Sequence, residues 1–229
     1  MTQLKTTPDV FIIESLRDED EERSRYEGYR LAEILRLSGK KPKYFYFKSK
    51  EELSVLFKLF KLFKLFKLSN YRYLHISCHG TAYYIEVGES RISYNDFSKL
   101  SSGYLERKRV FFSACELGNE LFSTCLAGRN KGMHSIVAPA EEINFDHAAA
   151  IWSAFYVSVF ARKENSMKSQ DILARIQSLC TLFPVDFHVS LYRSQKDYWE
   201  HIKVNKKKLS LQRDKKNQKN QLWILILPI

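Results

Sequence analysis

Apolar residues along this chain fall into short solid blocks separated by longer stretches with helical spacing. Val10-Phe11-Ile12-Ile13 is an uninterrupted apolar block, the pattern of a strand buried on both faces. The acidic run Asp18 to Glu22 suits a helix start, because carboxylates favour the positive end of a helix dipole. Tyr26, Tyr29, Leu31, Ile34, Leu35 and Leu37 then continue near helical spacing, and Ser38-Gly39 supplies a stop, so one helix is predicted from the acidic run to Leu37. Tyr44 to Phe47 predicts a second strand, and Ser49-Lys50-Glu51-Glu52 a capped entry to a second helix. A third strand is predicted at Tyr71 to Ser77, a hairpin around Gly88, a short helix near Asp96 to Leu100 and a fourth strand at Arg109 to Ser113. A helix from about Asn119 to Ala127 and a fifth strand at Ser135 to Ala138 continue the alternation. Helices at about Asp146 to Arg162 and Ser169 to Leu182 and a sixth strand at Phe187 to Tyr192 complete it. Repeated strand and helix units predict an α/β fold with a mainly parallel sheet of about six strands and helices on both faces, since parallel neighbours need a covering crossover.

Two segments stand outside this alternation. From Leu56 to Lys67 the tripeptide Leu-Phe-Lys repeats in tandem, with lysines at 58, 61, 64 and 67. A period of three slips about 60° per unit against an α-helix, so the lysines sweep half the circumference and mark no single polar face. The repeat therefore reads as an expansion that lengthens a surface helix; a membrane-associating or partner-binding segment is the alternative. Beyond Glu200 the composition turns polar and basic, with eight Lys or Arg against Asp214 between His201 and Asn220, and ends in the apolar Leu222 to Ile229. The expected organisation is one domain over residues 1–200 and a basic tail over 201–229 whose apolar end docks on that domain.

Charge changes this picture little. The 229 residues carry 37 Lys and Arg against 26 Asp and Glu, a formal +11, of which the tail alone supplies +7. The remaining +4 shows no stripe or motif for nucleic acid, which is not an expected partner. No window approaches the roughly 20 apolar residues of a membrane span, and Met1 to Pro8 lacks the apolar core of a secretory signal, so a cytoplasmic location is expected. The four cysteines, Cys78, Cys115, Cys125 and Cys180, form no CxxC pair and have no histidine at metal-ligand spacing. Neither a disulfide framework nor a metal or organic cofactor is expected.

The candidate chemistry lies at two strand ends. In open α/β sheets, sites form beyond the carboxyl ends of the strands. His79 follows the third strand and Cys115 the fourth, 36 positions apart (115 − 79). If those strands are neighbours, imidazole and thiol share one sheet edge, where histidine can act as general base for a cysteine nucleophile. The expected helix after Cys115 would add a dipole that favours the thiolate. Gly80 lets a carbonyl approach the backbone, and the N–H groups of Gly80 and Cys115 are the natural oxyanion donors. Gly118 would keep the turn after the cysteine tight. His75 points to one face of its strand and reads as core, and Cys78 falls on the opposite side of the pleat from His79. Cys125 and Cys180 read as packing, and His134, His147, His188 and His201 lack a thiol or carboxylate at a telling spacing.

At these residues the sequence resembles the caspase-like cysteine peptidases, most closely the CHAT and separase-related branch. Leu74-His75-Ile76-Ser77-Cys78-His79-Gly80 is similar to the family's His-Gly after one strand, and Ser113-Ala114-Cys115-Glu116-Leu117-Gly118 to its Ser-Ala-Cys segment after the next. Ser135 to Ala138 and Phe155-Tyr156 are similar to the strand and helix that follow, and the resemblance spans roughly Val10 to Leu191. Many CHAT domains place a tryptophan and an aspartate where this chain has Ala138 to Asp146. The resemblance implies a caspase-like three-layer sandwich and a cysteine-type endopeptidase with Cys115 as nucleophile and His79 handling the proton. It also implies a protein substrate encoded nearby, a regulatory protein partner and a role in bacterial defence or regulated proteolysis. Glu142 or Asp146 would then favour a basic residue before the scissile bond. The rival expectations are a non-catalytic interaction module on the same fold, or a membrane-associating protein acting through the Leu-Phe-Lys helix.

Overall fold

A computed structural model of the chain describes residues 8–62, 71–162 and 167–206. In chain order its elements are β1 (Val10–Glu14), α1 (Asp18–Glu22), α2 (Glu27–Leu37), β2 (Lys43–Tyr46), α3 (Lys50–Leu62), β3 (Tyr73–Ser77), β4 (Tyr84–Val87) and β5 (Ser90–Ser93). They continue with α4 (Tyr94–Leu100), β6 (Arg109–Ser113), α5 (Glu120–Arg129), β7 (Ser135–Pro139), α6 (Phe145–Arg162), α7 (Ser169–Leu182), β8 (Phe187–Arg193) and β9 (Tyr198–Val204). Seven strands make one sheet in the order β2-β1-β3-β6-β7-β8-β9, and β4 with β5 forms the hairpin expected around Gly88. The strands from β2 to β7 in that order are parallel; β8 runs antiparallel to β7, and β9 to β8.

The solid apolar blocks become central strands because both sheet faces are covered. Phe11, Leu74, Ile76, Val110 and Phe112 point into a core closed by Phe57 of α3, Phe97 of α4 and Phe122 of α5. Val10, Ile12, Tyr73, Phe111 and Val137 point the other way, against Leu31 and Leu35 of α2, Trp152, Phe155 and Tyr156 of α6, and Ile172 and Ile176 of α7. The result is three layers, with every residue of β1, β3 and β7 buried.

Three features depart from the expectation. The single helix predicted from Asp18 to Leu37 is two, because the chain turns at Ser24, whose φ is +55°. The acids there do not all face water: Asp20 is buried. A seventh strand, β9, was not predicted; it runs past the expected tail boundary at Glu200 to Val204, with Trp199 packed on one core and Ile202 on the other. Alternation inside a short polar segment hid it. In the Leu-Phe-Lys repeat, Leu56 and Phe57 are core residues, and Phe57 packs edge-on to Phe97 and stacks on Tyr104. The last part of the repeat, 63–67, and the tail from 207 lie outside the described residues. No helix among the described residues is long and apolar enough to cross a membrane.

Candidate active site

The register of β3 against β6 decides how the two candidate residues meet. Tyr73 pairs with Arg109 and Ser77 with Ser113, a constant offset of 36 positions (109 − 73). His79 and Cys115 have the same offset and so fall on one rung just past the ladder, where the Cys78 N–H still donates to the Ser113 carbonyl at 3.1 Å. Parity agrees. Tyr73, His75 and Phe111 face the α2 and α6 side, and two-residue steps carry that face on to His79 and Cys115. Leu74, Ile76, Cys78 and Ala114 belong to the opposite core, which removes Cys78 from the site. Its burial pushes the Cys78 thiol far above the ordinary range.

His79 is held from the side of β1. Its Nε2 lies 2.6 Å from Oδ2 of Asp20, with only 20% of the histidine side chain and 8% of the aspartate side chain exposed. The other carboxylate oxygen, Oδ1, accepts from Arg25 at 3.0 Å. The Ser24 turn makes this contact possible: it brings the Arg25 N–H back onto the Asp20 carbonyl at 3.0 Å, so both ends of the pair are fixed locally. Phe145, at the start of α6, sets its ring edge-on to His79 at 5.5 Å and carries the Arg25 guanidinium over its face at 5.5 Å. Sequence reasoning singled out neither Asp20, Arg25 nor Phe145. The available signal was an acidic run directly after the carboxyl end of a strand that neighbours the histidine strand.

Cys115 has a different environment. The Ile143 N–H points at its Sγ at 3.4 Å, and the Ile143 carbonyl lies 3.6 Å away. Burial raises the thiol's pKa and the nearby Glu142 and Glu116 carboxylates raise it further, against the opposing pull of the Ile143 N–H. The helix expected after Cys115 is present, and its first residue lies five positions on (120 − 115). α5 begins only at Glu120, and its first turn is capped by the Asn119 side chain, which accepts from the Phe122 N–H at 2.8 Å. The intervening residues spend themselves on docking. Glu116 takes φ +58°, and the Gly118 N–H donates to the Pro139 carbonyl at 2.6 Å. A Cβ at Gly118 would sit 2.5 Å from the Ala138 oxygen, so glycine is needed there for close backbone approach to β7.

Around these two, Gly80 packs so closely that a Cβ would meet the Cys115 carbonyl oxygen and Leu117 Cγ, both at 3.0 Å. The Gly80 N–H donates to no group among the described residues, because the bridge to Ile85 is carried by Thr81 and His79 instead. Glu116 accepts from the Ala82 N–H at 3.2 Å, tying the cysteine loop to the β4 hairpin. Asp146 is exposed in the first turn of α6, where its carboxylate accepts from the His147 N–H at 2.8 Å. Glu141 is occupied by Lys206 and by the Asp186 N–H, whereas Glu142 is exposed. No hydrogen bond joins His79 to Cys115 among the described residues; such contacts commonly close only when substrate is seated. No cluster of three or more His, Cys, Asp or Glu placed to hold a metal occurs among the described residues.

No family model matches the sequence, and no curated relative matches it. Among solved structures, the chain is similar to a secreted C11 cysteine protease from Bacteroides thetaiotaomicron, iotapain, with TM-score 0.50 and 12% identity. The fold is caspase-like. The match covers 81% of this chain and 66% of that one, so this chain spans slightly less than two thirds of the protease's length. At that identity the likeness is one of fold: a caspase-like sheet with its helices on both faces.

Proposed function

We propose that this chain is a cysteine-type endopeptidase whose catalytic dyad is Cys115 and His79. The observation that supports the reading is the shared offset: His79 and Cys115 each lie two residues past the last β3–β6 rung, Ser77 with Ser113, at the carboxyl edge of a caspase-like sheet. In that arrangement His79 removes the Sγ proton as the sulfur attacks the scissile carbonyl, and the carbonyl π pair moves onto oxygen. The Gly80 N–H, which has no other acceptor among the described residues, and the Cys115 N–H donate to that oxyanion. The tetrahedral species collapses with rupture of the C–N bond as imidazolium protonates the leaving amine. Water, deprotonated by His79, then hydrolyses the thioester and restores the thiol. Because burial and two carboxylates hold Cys115 in the thiol form, the chemistry here depends on a base at His79 more than on a preformed thiolate.

The substrate on this reading is a protein, and the motifs of the CHAT branch favour regulated proteolysis or bacterial defence with a partner encoded nearby. Between the two acids expected to recognise a basic side chain, Glu142 is the better placed, since it is exposed and close enough to act on the Cys115 charge. Asp146 already serves the start of α6. Screening the full chain against a peptide library, beside Cys115→Ala and His79→Ala, tests the proposal. Cleavage by the parent and loss of at least about a hundredfold in each variant are expected. Equal turnover by all three would overturn it and leave the interaction module as the standing reading.

A further inference from the structure

Resting on the peptidase reading, we propose that Asp20 is a positioning residue of the site: clamped by Arg25, its carboxylate holds His79 by Nε2 and leaves Nδ1 as the nitrogen that serves Cys115. Asp20 comes from α1, an element of five residues that follows β1, and reaches His79 across the neighbouring strand end. An aspartate with a purely structural part would be satisfied by Arg25. Here the arginine engages only Oδ1, and Oδ2 is directed at the imidazole at 2.6 Å, within the range of a charge-assisted hydrogen bond. Since a carboxylate can only accept, the Nε2 that faces it carries the proton. The neutral ring then has its lone pair on Nδ1, the nitrogen on the opposite side from Asp20.

The surroundings remove the alternatives to this orientation. Phe145 stands edge-on to the ring and blocks rotation on the α6 side, and the Arg25 guanidinium over Phe145 locks that wedge in place. The charged or titratable groups facing the pair are Arg25 from the Ser24 turn, Arg17 before α1 and, across the rung, Cys115 with Glu116 and Glu142 beyond it. Among the described residues, Asp20 is the carboxylate in contact with His79, placed to stabilise the imidazolium that forms when it takes the sulfur proton. Asp20 itself exchanges no proton; it fixes a tautomer and a ring direction.

Two measurements test this separately from the peptidase reading. In the full-length Cys115→Ala protein, which keeps Asp20 and Arg25, nitrogen-15 NMR of selectively labelled histidine is expected to show His79 as the Nε2–H tautomer. The Nδ1–H tautomer would overturn the proposal, whatever the protein cleaves. In the parent background, Asp20→Asn keeps the size of the side chain but offers an amide that can donate to Nε2 and favour the wrong tautomer. A fall in kcat of about 10²- to 10⁴-fold with KM within about threefold is expected. A kcat within twofold of the parent overturns the proposal. Should Asp20→Asn unfold, Arg25→Gln frees the clamp while keeping the acid, and a kcat loss of about tenfold or more is expected at an unchanged fold, read by circular dichroism; an unchanged kcat counts against it.

Discussion

Replacing Gly118 by alanine probes the docking that places the cysteine loop. The Cβ would lie 2.5 Å from the Ala138 oxygen and 2.6 Å from the carbonyl carbon and oxygen of Pro139, all backbone atoms of a fully buried strand. None is the end of a flexible side chain, so the loop must retreat by more than half an ångström, to about 3.1 Å. Overpacking of this kind costs about 1–3 kcal/mol. The retreat also stretches the 2.6 Å bond from the Gly118 N–H to the Pro139 carbonyl, worth about 1 kcal/mol net. Against this, the lost freedom of the unfolded chain returns about 0.4–1 kcal/mol. The balance is a destabilisation of about 1–3.6 kcal/mol, which for a chain of this size lowers Tm by about 2–14 °C. Gly128→Ala is the matched control: it lies within α5 with nothing inside 4 Å of the new Cβ, so helix propensity should raise stability by about 0.5–1 kcal/mol. Thermal melts followed by circular dichroism on both variants and the parent read the two signs. A Gly118→Ala protein melting at or above the parent would refute the close approach and, with it, the account of how the cysteine loop docks on β7.

Other consequences are as specific. Glu142→Gln removes a like charge beside the thiol, so the pH midpoint of iodoacetamide labelling at Cys115 should fall; an unchanged midpoint would separate Glu142 from the site. Phe57→Ala should cost about 3–5 kcal/mol by denaturant unfolding, while Lys58→Ala in the same Leu-Phe-Lys unit stays within about 0.5 kcal/mol, because one side chain is core and the other exposed. Glu14, buried and beside Glu27, has its pKa pushed up from 4.5 to about 7, so the folded state holds the extra proton over that interval. Its contribution is full below about pH 4.5 and is lost as pH rises through 7, on the order of 3 kcal/mol, and Glu14→Gln should flatten that part of the urea-midpoint profile.

How far the molecule was legible in its sequence follows from how local each signal is. β6 and α7 have the residues that their patterns indicate, because a solid apolar block or an amphipathic run carries its own period. The 36-residue interval between His79 and Cys115 was also visible, and it is the register of β3 on β6, a non-local quantity written into the spacing. What stayed hidden depends on side-chain direction and on backbone choices that neighbours impose. Asp18 to Glu22 is a run of like residues, and nothing in its composition marks the third as the one turned inward; Ser24 at φ +55° and Arg25 decide that together. The start of α5 was legible, within a residue of the expected Asn119, but what holds the segment before it was not. Ala114 to Asn119 has no helix breaker but Gly118, and the strand edge at Pro139, twenty-one residues further on (139 − 118), takes up that segment's hydrogen bonding before a helix can form.

The inward turn of Asp20 and the surroundings of Cys115 bear on the same proposed chemistry. The loop surrounds the sulfur with burial and with Glu142 and Glu116, which favour the thiol against the pull of the Ile143 N–H. On the proposed reading, a nucleophile kept as thiol needs its proton taken at the moment of attack, and that demand would fall on the orientation of His79. Asp20 and Phe145 contact His79, and Arg25 holds both of them in place. If the proposed dyad holds, substitutions that loosen the Ser24 turn should harm turnover more than equally destabilising changes elsewhere in the fold.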